Sequence, residues 1–295
     1  MPDKKKEFEI KNRVNEKINS GEIEVGIKML QDFISKNSSS ANIYHGLGKY
    51  LRLTEKIEEA IDCYRECLKK YPRDEISSFA LSALGVNSIP DKIPPPIIMA
   101  IFDDNAKFYD ANLKSVGWSP NLILDAAKTL YNEEKESLKI LDIGCGTGLC
   151  GELFRPMAMR LDGIDLSPAM VAEAKKKNIY DSLSIGDVTK ITSERKDFYD
   201  LVVGGDVMMY VGKVEKMIIS ISTLIRINGY FLFNVEQGEK SDFQLLDAGR
   251  YQHNVEYIAK CLTNAGFNIV MQQIAVLRHE RNVPVKAIIF AGQKI

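Results

Sequence analysis

The segment that most constrains this chain is Leu141–Gly148, which reads Leu-Asp-Ile-Gly-Cys-Gly-Thr-Gly. The apolar run 138–143 leads directly into three glycines within five residues. This pattern predicts a buried parallel strand that ends in a tight loop before a helix. Glycine accepts a positive φ and leaves room for a ligand close to the backbone. At the carboxyl end of a strand, such a loop is where an open α/β sheet binds its ligand.

Two classes of nucleotide cofactor fit a glycine-rich loop, and Asp142 distinguishes between them. Gly146, Gly148 and Gly151 satisfy the G-x-G-x-x-G spacing of nicotinamide and flavin enzymes. A dinucleotide would place a doubly charged pyrophosphate over this loop, where the Asp142 carboxylate would repel it. S-adenosylmethionine carries a sulfonium and an ammonium, which the same carboxylate attracts. The charge balance therefore favours the methyl donor.

Aspartates follow three further predicted strands. Asp165 lies about 20 residues past the glycines, where a carboxylate can bind both ribose hydroxyls. It is followed by Ser167-Pro168, which suits the N-cap and first position of a helix. Asp187 and Asp206 end two later apolar runs. Because the carboxyl ends of parallel strands meet at one edge of a sheet, we expect all these carboxylates to lie there together.

The C-terminal third continues the alternation of helices and strands. Apolar residues recur at helical spacing over Lys213–Ile227, and Asn228-Gly229 predicts the end of that helix. Tyr230–Val235 reads as a buried strand, and a second amphipathic helix precedes Gly266. The segments 267–276 and 285–291 then predict a closing hairpin.

In these motifs the chain resembles the class I S-adenosylmethionine-dependent methyltransferases. The resemblance extends over roughly residues 97–295 and rests on Asp142–Gly148, Gly163–Pro168, Gly186–Val188 and Asp200–Asp206. It implies an α/β architecture, with a Rossmann-like sheet of seven strands in which the last strand is antiparallel. The implied cofactor is S-adenosyl-L-methionine, with S-adenosyl-L-homocysteine as the product.

The resemblance also implies roles for individual residues around the donor. It places Asp142 and Gly144 near the methionine moiety and Asp165 on the ribose. Asp187 would bind the adenine amino group, and Val188 would lie against the adenine ring.

Two further residues would border the reacting end of the donor. The resemblance places Asp206 on the substrate side, and it places Tyr109 in an aromatic-rich segment that closes over the donor. The complete set of predicted cofactor-binding residues is Tyr109, Asp142, Gly144, Cys145, Gly146, Asp165, Leu166, Met170, Asp187, Val188 and Asp206.

Residues 7–85 carry a different, entirely helical pattern. The tetratricopeptide spacing is matched by Tyr44, Leu47, Gly48, Leu51, Ala60, Tyr64 and Pro72. A cluster of prolines between 90 and 96 follows and predicts a stiff linker. We therefore predict a TPR-like helical domain over residues 1–92 and a methyltransferase domain over residues 93–295. The resemblance narrows to predicted methyltransferases with N-terminal TPR repeats, where the repeats could bind a protein partner or self-associate.

Composition limits the partners of this protein. The formal net charge is −1, which lacks the basic excess that nucleic-acid binding requires. No apolar run approaches the length of a membrane span, and no signal-peptide pattern opens the chain. Five irregularly spaced cysteines suit a reducing compartment, so we expect a cytoplasmic protein. Cys63 and Cys67 fit packing positions of the repeat, and we expect no metal site.

The candidate acceptor-side residues come from two segments. Tyr210 follows the fourth predicted strand, and Arg250, Tyr251 and His253 lie between the fifth strand and the next helix. His253 has the pKa range of a general base, and Arg250 could bind a carboxylate. The alternative is that His253 caps its helix and Arg250 pairs with a nearby acid.

Three classes of function remain open from the sequence. The first is a methyltransferase acting on oxygen or nitrogen of a small molecule. The second is a protein or peptide methyltransferase whose helical domain recruits the substrate. The third is a scaffold that binds the donor without turnover, which the intact glycine loop and acids disfavour.

Overall fold

The computed structural model describes residues 2–103, 105–115, 121–131, 137–191, 196–239, 241–280 and 283–295. The chain divides into two compact units. The first comprises the residues up to Pro90 together with Leu246–Gly249, and the second comprises Asp91–Leu245 and Arg250–Ile295. Within the ranges given above, no helix is long and apolar enough to cross a membrane.

The described part of the first unit is built from five α-helices. They are α1 (Lys4–Asn19), α2 (Ile23–Lys36), α3 (Ala41–Leu53), α4 (Ile57–Lys70) and α5 (Glu75–Ala83). The apolar faces of all five contribute to one buried cluster. Asp3 and Asp74 cap α1 and α5, because each side chain accepts backbone N–H bonds from the first turn.

Helices α3 and α4 approach each other closely at Gly48. A Cβ atom at this position would lie 2.4 Å from the ring of Tyr64. Gly26 of α2 faces Ile18 of α1 in the same way, with 2.9 Å between a Cβ and the Ile18 side chain. Small residues therefore set the spacing within both helix pairs.

The second unit alternates strands and helices. Its described helices are α6 (Pro95–Phe102), α7 (Tyr109–Ser115), α8 (Asn121–Tyr131), α9 (Leu149–Phe154), α10 (Pro168–Lys176), α11 (Glu215–Ser222) and α12 (Val255–Asn264). Its described strands are β1 (Leu138–Ile143), β2 (Ala158–Asp165), β3 (Ser182–Ile185), β4 (Tyr199–Gly204), β5 (Ile225–Glu236), β6 (Phe243–Leu245), β7 (Tyr251–His253), β8 (Phe267–Glu280) and β9 (Val283–Lys294).

Seven of these described strands form one sheet in the order β3-β2-β1-β4-β5-β9-β8. The pairs among β1 to β5 are parallel, whereas β9 is antiparallel to both β5 and β8. This confirms the predicted fold class, a seven-stranded sheet whose last strand is antiparallel. Strands β6 and β7 form a separate two-stranded ribbon that the sequence pattern did not predict.

Strand β5 begins earlier than predicted, and α11 is correspondingly shorter. The backbone N–H groups of Phe198 and Tyr199 both donate to the carbonyl of Leu224, at 2.9 and 3.0 Å. This pairing draws the segment from Ile225 into the sheet, although its side chains follow a helical period.

The carboxyl ends of the parallel strands β1 to β5 lie at the same edge of the sheet. The strand order reverses on either side of β1, with β2 on one side and β4 on the other. In each of the strands β1 and β4, one residue is half-buried and the other five are buried. The loops that follow these strands therefore meet at the position where parallel α/β sheets bind ligands.

Candidate active site

A cleft of about 980 Å³, including its open mouth, lies where the loops after β1, β2, β3 and β4 meet. Its size is at the upper end of the about 300–1,000 Å³ that is usual for ligand sites. Eleven predicted site residues line it: Tyr109, Gly144, Cys145, Gly146, Asp165, Leu166, Met170, Asp187, Val188, Asp206 and Tyr210. The other four predicted residues are not on its wall: Asp142, Arg250, Tyr251 and His253.

The loop after β1 requires glycine for two separate reasons. Gly144 and Gly146 have φ values of +66° and +53°, in the left-handed region that side chains rarely adopt. A Cβ atom on Gly144 would also lie 2.6 Å from Val207, whereas one on Gly146 would meet nothing within 4 Å. The Gly146 position is therefore an open cradle, where backbone can approach a ligand.

Asp165 joins this loop to the start of α10. One carboxylate oxygen accepts the backbone N–H of Gly146 at 2.8 Å, and the other accepts that of Ser167 at 2.8 Å. Burial raises the pKa of Asp165, although bonds from the Ser167, Gly146 and Leu166 backbone oppose the rise. The side chain lines the cleft and links the glycine loop to the start of α10.

Asp142 lies beneath the loop. Its side chain is 1% exposed and accepts a hydrogen bond from the Tyr180 hydroxyl at 2.7 Å. Burial raises the pKa of Asp142 to about 7, with Tyr180 opposing the rise and Asp165 adding to it. The carboxylate therefore supports the loop from below.

Tyr180 packs beneath the glycine loop, and the sequence pattern did not indicate this role. A Cβ atom on Gly151 would lie 2.2 Å from the Tyr180 hydroxyl, and one on Gly163 would lie 3.0 Å from its ring. These glycines therefore make room for Tyr180. Gly151, the third glycine of the G-x-G-x-x-G spacing, therefore leaves space for the Tyr180 ring. No local sequence motif indicates that Tyr180 occupies this space.

We expect Asp142→Asn to change how stability depends on pH. An unfolded aspartate has a pKa of about 3.9, so the folded protein with a value of about 7 takes up a proton between these limits. Wild-type stability should therefore fall as the pH rises through this window. Asparagine does not titrate. Between about pH 4 and pH 7, the free energy of unfolding of the variant should therefore rise relative to that of wild type by about 4 kcal/mol, as urea titrations at several pH values would measure. A stability difference that does not depend on pH would contradict this assignment.

The end of the cleft after β3 is formed by Asp187, Thr189 and Lys92. One Asp187 oxygen accepts the backbone N–H and the hydroxyl of Thr189, at 2.9 and 2.6 Å. The other accepts the Lys92 ammonium at 2.6 Å. Burial alone would raise the pKa of Asp187, but the bonds from Lys92 and Thr189 hold it below its ordinary value. Lys92 lies at the start of the predicted linker, where no sequence pattern indicates this contact.

Aromatic rings and one carboxylate form the opposite wall. Phe102 meets Tyr109 and Tyr210 edge to face, with centroid distances of 5.7 and 5.6 Å. Burial raises the pKa of both tyrosines, so their hydroxyls remain neutral. Asp206 has a φ of +58°, and its backbone N–H and one carboxylate oxygen both bind the amide of Asn234, at 2.9 and 2.6 Å.

Arg250 pairs with an acid away from the cleft wall. Its Nε lies 3.1 Å from Glu236, which is 2% exposed and also binds Arg278. Arg278 in turn lies 3.7 Å from the Asp206 carboxylate. Both guanidinium groups therefore contact Glu236, and the positive charge of Arg278 also stabilises the Asp206 carboxylate.

Tyr251 and His253 are fully buried in β7. The His253 Nε2 lies 2.8 Å from the carbonyl oxygen of Val211, and burial lowers the pKa of His253 to about 4. Asn254, and not His253, caps α12. His253 is not among the residues on the cleft wall, and its contact with the Val211 carbonyl holds the loop after β4.

The helical unit brings together a further group of polar side chains. His45 Nε2 lies 2.8 Å from Asp74, and the Cys67 sulfur lies 3.8 Å from the same oxygen. The sequence analysis had associated no histidine with Cys67. Because Asp74 also caps α5 by accepting from Ser77 at 2.8 Å, the carboxylate is already held by the fold.

Comparison with known proteins agrees with this arrangement. Residues 141–233 match the family model of a methyltransferase domain. A malonyl-[acyl-carrier protein] O-methyltransferase of Priestia megaterium is 30% identical over 139 residues, which are 45% of this chain and 48% of that protein. A ubiquinone biosynthesis O-methyltransferase of Burkholderia cenocepacia is 25% identical over 169 residues, 55% of this chain and 66% of that protein. The chain spans about half the length of the malonyl-specific relatives.

The fold is shared with magnesium protoporphyrin IX methyltransferase of Synechocystis PCC 6803. Its structure with bound S-adenosylmethionine has a TM-score of 0.52 and 19% identity, covering 71% of this chain and 100% of that one. The structure with S-adenosylhomocysteine has a TM-score of 0.53 and 17% identity, covering 68% and 100%. The cofactor in the first of these two structures is S-adenosylmethionine.

The described cleft residues fit this cofactor. Three acids line the cleft against a single lysine: Asp165, Asp187, Asp206 and Lys92 respectively. This balance attracts a sulfonium and an ammonium, and it would repel the pyrophosphate of a dinucleotide. The open backbone at Gly146 leaves space for the donor beside Asp165.

Proposed function

We propose that this chain, which carries a class I S-adenosylmethionine-dependent methyltransferase domain, transfers a methyl group to oxygen or nitrogen of a small-molecule acceptor. One observation carries the proposal. The cleft has carboxylates for an adenosine at one end, whereas its other end combines aromatic rings with the Asp206 carboxylate. A donor held by the first end would present its methyl group to the second.

The bound donor would supply a methyl group on a sulfonium, and the residues of the chain would orient the donor and the acceptor. Asp165 would orient the ribose, since its carboxylate is already fixed by Gly146 and Ser167. Phe102, Tyr109 and Tyr210 would exclude water from the acceptor side. In-line displacement depends strongly on such positioning.

Asp206 would hold the acceptor. Its backbone and carboxylate are locked by Asn234, and Arg278 lies behind it. The carboxylate can accept a hydrogen bond from an acceptor hydroxyl or amine and so direct a lone pair toward the methyl group. It is also the cleft residue placed to take up the proton that the acceptor loses.

The names of the relatives support a small acceptor. One group is named for O-methylation of a malonyl group on an acyl-carrier protein, and another for O-methylation in ubiquinone biosynthesis. Both transfer to oxygen, so oxygen is the first atom to test.

We also propose that the helical unit is a TPR-like module that binds a protein partner or self-associates. The proposal is supported by the close approach of its helices at Gly26 and Gly48. A cytoplasmic location is proposed as well, since all five cysteines are unpaired, buried thiols.

Donor binding provides the direct test of the function. We expect S-adenosylhomocysteine at about 100 times its dissociation constant to stabilise the folded protein by about 2.7 kcal/mol, because it binds only the folded state. Incubation of small-molecule extracts with methyl-labelled donor should then yield a labelled product. Stabilisation by NAD in place of S-adenosylhomocysteine would overturn the assignment.

A further inference from the structure

The end of the cleft after β3 contains a lysine and an aspartate in direct contact. The Lys92 ammonium lies 2.6 Å from one oxygen of Asp187 and 2.7 Å from the hydroxyl of Thr189. Both side chains of the ion pair are partly buried, with exposures of 31% for Lys92 and 17% for Asp187. Lys92 also lines the cleft, so its ammonium faces the same space as Asp187.

The backbone on either side of Lys92 is fixed. The carbonyl of Asp91 accepts the backbone N–H groups of Gly212 and Lys213, both at 2.8 Å. The N–H of Ile93 donates to the carbonyl of Tyr210 at 3.0 Å. Lys92 is therefore anchored by its neighbours to the loop after β4, and its side chain reaches Asp187 from a defined position.

We propose that Lys92 and Asp187 together read one edge of the donor's adenine ring. Asp187 accepts the exocyclic amino group, and Lys92 donates to the adjacent ring nitrogen. This inference rests on the proposed function. It adds Lys92 as a specificity-determining residue, although Lys92 lies outside the loops that follow the sheet strands.

The hydrogen-bonding capacity of the pair matches this use. A carboxylate offers about four acceptor sites, and the structure shows three of those on Asp187 filled by Thr189 and Lys92. A lysine ammonium has three donors, and two of those on Lys92 contact Asp187 and Thr189. Among the described residues, this leaves one acceptor beside one donor. Adenine presents the complementary order, a donor beside an acceptor.

The order of the two groups gives selectivity. Hypoxanthine has a carbonyl in place of the amino group and a protonated ring nitrogen beside it. Asp187 would then face an oxygen, and Lys92 would face an N–H. A base whose ribose is held by Asp165 cannot shift to exchange the two contacts, so both groups would stay unpaired, which is costly in a buried site.

The experiment measures binding of S-adenosylhomocysteine and its inosine analogue, S-inosylhomocysteine, by calorimetry. We expect wild type to prefer the adenine compound by about a hundredfold. Lys92→Met should weaken S-adenosylhomocysteine binding by about ten- to a hundredfold and reduce the preference by about tenfold. Lys92→Arg, which keeps the charge and the donors, should recover part of both.

Lys190→Met is the matched control, because Lys190 lies on the same loop as Asp187 and Thr189 and is exposed. It should bind both compounds as wild type does. Unchanged or tighter S-adenosylhomocysteine binding by Lys92→Met would overturn the inference, since it would mean that Lys92 is neutral or competes for Asp187. Wild type that bound neither compound would overturn the proposed function as well.

Discussion

Asp165→Ala should lower the affinity for S-adenosylhomocysteine by about a hundredfold or more. The substitution removes the acceptor of two charge-assisted backbone bonds, from Gly146 and Ser167, each 2.8 Å long. Each such bond contributes about 1.5–3 kcal/mol, and the carboxylate would also lose its contact with the ribose. The glycine loop and the start of α10 would separate at the centre of the cleft. Calorimetric titration measures the change directly.

Asp181→Ala separates this effect from a general loss of stability. Asp181 also joins two elements, because one oxygen accepts the backbone N–H of Leu161 at 2.7 Å and the Arg155 guanidinium at 2.7 Å. It does not line the cleft. We expect Asp181→Ala to lower the melting temperature and to retain donor affinity. Equal affinity losses in both variants would refute a specific role for Asp165.

Glu236→Ala should produce the largest loss of stability in the second unit. Glu236 is 2% exposed and binds Arg278 and Arg250 through the same oxygen. Without it, the Arg278 guanidinium, 8% exposed, would lose its contact with the Glu236 carboxylate, while its 3.7 Å contact to Asp206 would remain. Removing one partner of a buried ion pair costs about 3–5 kcal/mol, because the remaining charge loses a counter-charge that burial makes hard to replace. Urea titration of the variant and wild type measures the difference.

Asp197→Asn is the comparison for Glu236, because asparagine tolerates the left-handed φ of +49° that Asp197 adopts. Its carboxylate pairs with Lys294 at 2.6 Å, but the side chain is 62% exposed. Exposed ion pairs contribute little to the free energy of unfolding, so this variant should unfold at the same urea concentration as wild type. If Glu236→Ala were equally mild, the buried network would not support Asp206 and the acceptor wall.

The strand ends of the sheet were predictable from the sequence because their signals are local. An apolar run followed by glycines marks β1 and its loop, and an acid after an apolar run marks the end of β2 and of β4. The parallel topology then brings Asp165, Asp187 and Asp206 to one cleft without further information. The prediction was less reliable for β5, where Ile225 joins the sheet despite a helical pattern.

The acceptor-side residues show why polar density alone does not identify a site. Arg250, Tyr251 and His253 lie close together in sequence, yet β7 turns Tyr251 and His253 into the interior. Arg250 finds Glu236, which lies at the end of a different strand. Whether a polar side chain faces a cleft or a buried partner depends on the neighbouring strand, and a single sequence does not contain that neighbour's position.

By itself, the sequence determined the succession of the main sheet strands and the acids at their ends, because hydrophobic period and glycine act over a few adjacent residues. Only the tertiary structure decided which side chains line the cleft and which support its loops from beneath. Tyr180 and Asp142 are 38 residues apart, and Lys92 and Asp187 are 95 residues apart. Contacts at such separations arise from the packing of the whole sheet, since no local preference of the backbone encodes them.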